Sequence, residues 1–267
     1  MIIFKSINKL NKEVNFKADV GFVPTMGALH QGHISLIKKS QKKSKKTLVS
    51  IFVNPAQFNS KKDYKKYPRN IQKDLKLLKN LKVDYVLIPT FKDVYGNKSK
   101  KKFKISKSDK ILCAKYRPGH FEGVLCVINQ FIKKLRIKKM FLGEKDYQQY
   151  MLIKKFLKKN SKVKTILCKT VRMKNGLAYS SRNKLLNQNS IKKSASLVSK
   201  IKKTFSLLKK NLSNKSIIKN FIIENRKFNI EYIELRNKNN LSKKINVKNT
   251  KIFFSFYMQG IRLIDNF

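Results

Sequence analysis

The sequence predicts an α/β fold, a parallel β-sheet with helices on both faces, followed by a smaller C-terminal α+β domain. Three observations predict it. Up to about Val171, short apolar runs alternate with amphipathic helical patterns, as in a parallel sheet covered by its own connections. After Arg172 the pattern changes to two helical stretches and then short strand-like runs. A chain of 267 residues with 41% hydrophobic content buries a full core, in one large or two modest domains.

In chain order, the strand candidates of the first part are Val20–Val23, Thr47–Val53, Val83–Ile88, Met140–Leu142 and Val163–Lys169. Helical patterns fill the gaps at Ile34–Ser40, Ile71–Leu81, Gly123–Leu135 and Tyr147–Lys158. The Lys/Ser-rich stretch Gly96–Lys110 reads as a solvated loop. Beyond Arg172, helices are expected over about Asn187–Leu212 and Ser216–Asn225, then strands at Ile230–Arg236, Lys244–Lys248 and Ile252–Met258. No internal repeat is evident. The expected boundary divides residues 1–171 from 172–267.

Composition excludes several classes. No apolar run approaches the roughly 18 residues that span a bilayer, so no membrane partner is expected. The opening Met1-Ile2-Ile3-Phe4-Lys5 is too short for a signal-peptide core. Cys113, Cys126 and Cys168 are widely spaced, without a Cys-x-x-Cys, and read as reduced thiols of a cytoplasmic protein. The net charge of +50 invites a nucleic-acid reading. Yet only eight basic residues are arginine, the planar fork that dedicated phosphate and base sites favour. The lysines are spread over nearly every segment, a bias painted on solvated faces. Nonspecific RNA binding at low salt is expected from such charge, but no specific nucleic-acid partner.

Against this bias the scarce residues stand out. All three histidines (His30, His33, His120), four arginines (Arg69, Arg117, Arg172, Arg182) and six of the nine glycines fall in a few blocks.

The first block is Pro24-Thr25-Met26-Gly27-Ala28-Leu29-His30-Gln31-Gly32-His33. An apolar run precedes it and an amphipathic run follows, which reads as strand, Gly-containing turn and helix N-terminus. Such a terminus presents unpaired N–H groups and partial positive charge, and attracts phosphate. Two imidazoles there add donors to a phosphoryl group whose charge grows during reaction. A helix capped by chance with histidines is the plain alternative. In Ser50-Ile51-Phe52-Val53-Asn54-Pro55-Ala56-Gln57-Phe58, Pro55 ends the sheet pairing and Gln57 projects from the turn with an amide suited to a hydroxyl and a carboxylate, or the segment is an ordinary turn. Gly143-Glu144-Lys145-Asp146-Tyr147-Gln148-Gln149 follows a strand; Gly143, without a Cβ, permits close backbone approach, and Lys145 sits between two acids, as a site residue or as part of an ordinary charged helix start. Gln149 lies on that helix. The first three blocks each follow a strand candidate, so they are expected on one sheet rim, where such sheets bind ligands.

Arg117-Pro118-Gly119-His120 opens a helix and reads either as a substrate-binding loop, slightly favoured, or as a structural cap. Tyr67-Pro68-Arg69 precedes the helix at Ile71. From Val171 to Asn183 the chain reads as a Gly-turn hairpin and a Ser180-Ser181-Arg182 loop, which grips polyphosphate or supplies a doubled Ser helix cap.

The first block resembles the HIGH-type signature of nucleotidyltransferases. PTMGALHQGH, SIFVNPAQF, YPR, RPGHFEGV, GEKDYQQ and NGLAYSSRN, in that order, together resemble the pantothenate synthetase (pantoate–β-alanine ligase) family over about residues 20–190. The resemblance implies a Rossmann-like nucleotide- and pantoate-binding domain and a small lid domain. It implies ATP-dependent condensation of (R)-pantoate with β-alanine through a pantoyl adenylate, releasing AMP and pyrophosphate. Carried over by position, ATP would be bound by Met26, Gly27, Ala28, Leu29, His30, Gln31, Gly32 and His33, by Gly143, Glu144, Lys145 and Asp146, and by Val171, Tyr179, Ser180, Ser181 and Arg182. Gln57 and Gln149 would hold pantoate, with Gln57 also beside β-alanine. His33, His30, Lys145 and Arg182 would be catalytic, neutralising charge on the phosphates without a covalent nucleophile. ATP implies Mg²⁺, whose ligands stay unknown, and the family implies a homodimer. Tyr179 stands where the family usually has Met, and Leu142 where some relatives carry Phe. The rival readings are another adenylyl- or cytidylyltransferase, which has no need of Gln57, Gln149 and Arg117–His120 together, and a basic RNA-binding protein on an inactive enzyme fold.

Overall fold

The computed structural model describes residues 1–96, 103–210, 212 and 216–267. Two units can be distinguished, one of Met1–Glu144 with Gln149–Lys169, the other of Lys145–Gln148 with Thr170–Phe267.

The first unit begins with β1 (Ile2–Phe4), α1 (Ile7–Glu13), β2 (Val20–Thr25), α2 (Gln31–Lys43), β3 (Lys46–Ile51), α3 (Lys61–Lys66), α4 (Ile71–Asn80) and β4 (Tyr85–Leu87). It continues with α5 (Phe91–Tyr95), α6 (Cys113–Tyr116), α7 (His120–Lys134), β5 (Lys139–Gly143), α8 (Tyr147–Asn160), whose first two residues belong to the other unit, and β6 (Lys164–Cys168). The six strands form one sheet in the order β1-β4-β3-β2-β5-β6, and every pairing is parallel. β2 and β3 are buried almost throughout, as expected of a sheet covered on both faces. One core packs Leu36 and Ile37 of α2 and Leu78 of α4 against Val23, Val49, Val86 and Phe141 of the sheet.

All five strand candidates of this part are strands, with ends shifted by at most two residues. β1 and α1 carry no clear sequence signal, because three residues of one and seven of the other are too short for periodicity to speak. Pro55 is not what ends the pairing of β3. The strand stops at Ile51, and its last ladder bond is donated by Phe52 N–H to the Thr25 carbonyl at 3.0 Å. Between β2 and β5 the register runs only through Phe22 opposite Met140. It stops two residues before Pro24, which has no N–H to offer a longer ladder. β2, the first strand of the block's turn, thus has β3 on one side and β5 on the other, the point where strand order reverses. Of the expected loop Gly96–Lys110, residues 97–102 lie outside the described residues, and Lys107–Asp109 form a short 3-10 turn.

The second unit holds α9 (Gln188–Lys210), α10 (Ser216–Glu224) and an antiparallel sheet of β7 (Asn229–Asn237), β8 (Thr250–Met258) and β9 (Ile261–Asn266), in that order. Its core gathers Leu197, Val198 and Ile201 of α9 with Phe221 of α10 and Phe254 and Phe256 of β8. Lys244–Lys248 is not a strand. Asn246 and Asn249 there exchange backbone-to-side-chain hydrogen bonds of 2.8 and 3.0 Å that turn the chain into β8. Local amide bonding of this kind competes with a ladder, and the third strand is instead Ile261–Asn266.

Among the described residues no helix is long and apolar enough to cross a membrane.

Candidate active site

The turn from β2 to α2 carries the first block. Thr25 closes the strand, and its hydroxyl donates to the Ser50 carbonyl at 2.7 Å while accepting from Gly27 N–H at 3.1 Å. Gly27 and Ala28 then take φ of 75° and 50°, the left-handed region that costs a non-glycine residue about 1–2 kcal/mol. The Asp74 carboxylate, 3% exposed at the start of α4, holds them there. Its two oxygens accept from Ala28 N–H and Leu29 N–H, each at 2.8 Å. A Cβ on Gly27 would lie 3.0 Å from that carboxylate. His30 is the N-cap of α2, and its Nδ1 accepts from Gly32 N–H at 3.1 Å, so a neutral ring carries its proton on Nε2. His33 stands in the first turn, its ring centroid 4.1 Å from that of His30. Both rings are half-buried at a helix N-terminus, and Gln31 between them is exposed. Paired imidazole donors at this end suit an anion.

The loop after β3 is anchored by Asn54, which is fully buried. Its Oδ1 accepts from Ala56 N–H at 3.2 Å and from the Tyr95 hydroxyl at 3.0 Å, and its Nδ2 donates to the Gly123 carbonyl at 3.2 Å. Burial pushes the Tyr95 hydroxyl up, which keeps it a donor. Gln57 closes the short 3-10 turn Pro55–Gln57 at 9% exposure, and its side-chain amide makes no hydrogen bond among the described residues. Its carbonyl accepts from His120 Nδ1 at 2.6 Å and from the Arg117 guanidinium at 3.2 Å. Gly123 lets α7 press on this turn, since a Cβ there would sit 2.0 Å from the Ala56 carbonyl oxygen. Phe58 packs edge-on against Tyr64 and Tyr67, and Arg69 lies over the Tyr64 ring at 4.5 Å. The Tyr67-Pro68-Arg69 and Arg117–His120 blocks therefore converge on the loop that carries Gln57. The nitrogens of Arg117 and His120 meet the Gln57 backbone carbonyl, and Gly119 between them is the N-cap of α7.

β5 ends at Gly143, so Gly143 and Glu144 share the carboxyl-end rim with the turns after β2 and β3, as the block order predicts. Gln149 is half-buried on α8, and its amide too has no hydrogen-bond partner among the described residues.

The remaining expected residues lie in the second unit. Lys145 Nζ is 3.3 Å from Asp146 Oδ1, and its carbonyl accepts from the Asn266 amide at 3.0 Å. Arg172 opens a hairpin bridged to Ala178, with Tyr179 N–H donating to the Val171 carbonyl at 3.1 Å. Its guanidinium binds Asp265 twice, at 2.5 and 3.0 Å, donates to the Asn266 carbonyl at 3.1 Å and stacks 4.3 Å from Phe267. Burial raises the Asp265 carboxyl above its usual range, and Arg172 opposes that. Ser180 caps the 3-10 turn Ser181–Leu185, accepting from Arg182 N–H at 3.3 Å, with Ser181 buried and Arg182 half-buried. The serines do not cap α9. Asn187 does, accepting from Ser190 N–H at 2.8 Å.

Asp74, Asn54, Tyr95, Asp265 and Asn266 were not singled out by the sequence reading. Only fourteen residues are acidic, so scarcity applied to acids as well as to arginines would have marked Asp74 and Asp265. Among the described residues, no group of three His, Cys, Asp or Glu is arranged to hold a metal ion.

A family model described as pantoate-beta-alanine ligase matches residues 2–267. A pantothenate synthetase of Francisella tularensis subsp. novicida is 40% identical over 275 residues, covering all of this chain and 97% of that protein. The crystal structure of a pantoate-beta-alanine ligase from Francisella tularensis, complexed with beta-gamma ATP and beta-alanine, superposes with a TM-score of 0.84 at 38% identity, over the whole chain and 97% of its own. The crystal structure of a pantothenate synthetase from Thermus thermophilus gives 0.88 at 26% identity, over the whole chain and 99% of its own.

Proposed function

The chain belongs to the pantoate–beta-alanine ligase family, and from that premise we propose that it condenses (R)-pantoate with β-alanine at the expense of ATP, releasing AMP and pyrophosphate. The observation that carries this reading is the rim. The His30/His33 turn, the Gln57 turn and Gly143 follow three neighbouring parallel strands, β2, β3 and β5. One anion-favouring helix start and one amide free of hydrogen bonds, on a largely buried residue, therefore belong to the same edge of the sheet.

In this reading, Met26–His33 and Gly143–Glu144 bind ATP, and Lys145, Asp146, Val171 and Tyr179–Arg182 are the ATP contacts of the second unit. The Gln57 and Gln149 amides hold pantoate, with Gln57 also beside β-alanine. The pantoate carboxylate attacks the α-phosphorus, the bond to pyrophosphate breaks, and a pantoyl adenylate results. The β-alanine amine then attacks the acyl carbon and AMP leaves. His30, His33, Lys145 and Arg182 neutralise charge that develops on the phosphates, which requires no covalent nucleophile. Mg²⁺ is proposed to enter on the triphosphate and to neutralise its charge. Residues 1–171 are assigned to nucleotide and pantoate binding and 172–267 to a lid. A homodimer in the cytoplasm completes the proposal, and light scattering of the purified protein tests the dimer.

The half-reaction is the test. Given pantoate and Mg²⁺ without β-alanine, the enzyme is expected to exchange labelled pyrophosphate into ATP, and added β-alanine to yield pantothenate and AMP. Release of ADP, or no pantoate-dependent exchange by a folded, ATP-binding sample, defeats the reading.

A further inference from the structure

We propose that the Arg117-Pro118-Gly119-His120 turn is a positioning clamp that fixes the Gln57 carbonyl and thereby aims the Gln57 amide at substrate, an inference that rests on assigning Gln57 to pantoate. Gln57 is only 9% exposed as a residue, yet its amide makes no hydrogen bond among the described residues, so no hydrogen bond of its own sets its direction. The backbone has to set it. That backbone is held from several sides. The Gln57 N–H donates to the Asn54 carbonyl at 3.1 Å, and Gly123 brings α7 against Ala56 and Gln57. On the carbonyl, His120 Nδ1 donates at 2.6 Å and Arg117 at 3.2 Å.

The two clamp residues also fix each other. Arg117 Nη1 lies 3.0 Å from His120 Nε2. Arginine only donates, so Nε2 accepts and Nδ1 carries the proton, which is the tautomer the carbonyl requires. A ring bonded through its second nitrogen has its tautomer and orientation fixed, as the outer partner of a metal-ligating histidine fixes that ring. Asp63, 4.0 Å from the Arg117 guanidinium, balances its charge. A lysine offers no planar fork to reach Nε2 and the carbonyl together, which accounts for a scarce arginine in a chain that otherwise uses lysine.

Three variants test the clamp: His120→Ala, His120→Asn and Arg117→Lys. Asparagine places its amide N–H where His120 Nδ1 stands. Pantoate and ATP are varied separately in steady-state assays, with thermal unfolding in parallel. His120→Ala is expected to raise the pantoate KM about tenfold or more, because a misaimed amide loses its hydrogen bonds to the bound substrate, while the ATP KM stays near that of wild type. His120→Asn is expected to recover most of the pantoate KM, and Arg117→Lys to show the same selective rise as His120→Ala. An unchanged pantoate KM, or His120→Asn as impaired as His120→Ala, overturns the clamp. Should His120→Ala not fold, an unchanged pantoate KM in Arg117→Lys overturns it equally. Active wild type with unselective variants defeats only the clamp, whereas wild type without pantoate-dependent turnover defeats the functional reading and the clamp with it.

Discussion

The Asp74 carboxylate binds the backbone N–H of Ala28 at 2.8 Å, joining the start of α4 to the turn that precedes His30. Its second oxygen takes the Leu29 N–H, so one acidic side chain satisfies two successive buried amides and sustains positive φ at Ala28. Asp74→Ala strands both amides, at about 1–3 kcal/mol for each buried donor left unpaired. The expected outcome is a lower unfolding midpoint and weaker binding of a non-hydrolysable ATP analogue. Asp74→Asn keeps one acceptor oxygen and is expected between wild type and Asp74→Ala. Wild-type nucleotide affinity in Asp74→Ala would separate this contact from the ATP site.

His33→Ala and Lys145→Ala are expected to cripple turnover while the protein stays folded. Neither side chain belongs to a hydrophobic core cluster. Losing one electrostatic donor costs about 10²–10³ in rate. Circular dichroism alongside turnover decides the matter. Unfolding of either variant, or near-normal activity, makes that residue structural.

Gln57→Ala is expected to impair pantoate use more than ATP binding, because the amide orients a carboxylate for attack. Direct titration with each substrate reads this. Lost ATP affinity beside unchanged pantoate affinity refutes the assignment.

Arg172→Leu is expected to destabilise the protein in a pH-dependent way. Burial already lifts the Asp265 carboxyl above its ordinary value, with Arg172 opposing. A carboxyl whose folded value lies above its unfolded one contributes stability in acid that is lost as pH rises through the folded value. Removing the guanidinium lifts the folded value further and leaves a buried charge alone at neutral pH, at about 3–5 kcal/mol. In acid the carboxyl is protonated and the deficit shrinks. Denaturant unfolding at the two pH extremes measures it, and a deficit as large in acid would contradict the account.

Nonspecific RNA binding by the lysine-rich surface is expected to collapse between low salt and about 0.15 M, where exposed charges are screened beyond roughly 8 Å. Filter binding across a salt series shows the slope. Tight, sequence-selective binding at the higher salt would revive a nucleic-acid function.

The sequence by itself determined the local order of this protein: an apolar run, a glycine turn, a helix whose first turn carries His30 and His33, and the same arrangement of strand and motif at Asn54–Gln57 and Gly143–Asp146. Burial on both faces of a sheet and the period of a helix are written in adjacent residues, so β2, β3, β4 and β5 were legible while the short, largely exposed β1 was not. The tertiary structure decided which side chains hold those motifs. Asp74 reaches Ala28 across 46 residues, His120 reaches Gln57 across 63, and Arg172 reaches Asp265 across 93. No local pattern encodes such pairs. They exist because strand order sets β2 between β3 and β5, and because buried polar groups must find partners wherever the packed chain supplies them. The sequence likewise assigned a strand to Lys244–Lys248, where Asn246 and Asn249 bond to each other's backbone instead, and left Ile261–Asn266 unmarked until β8 gave it a ladder to join.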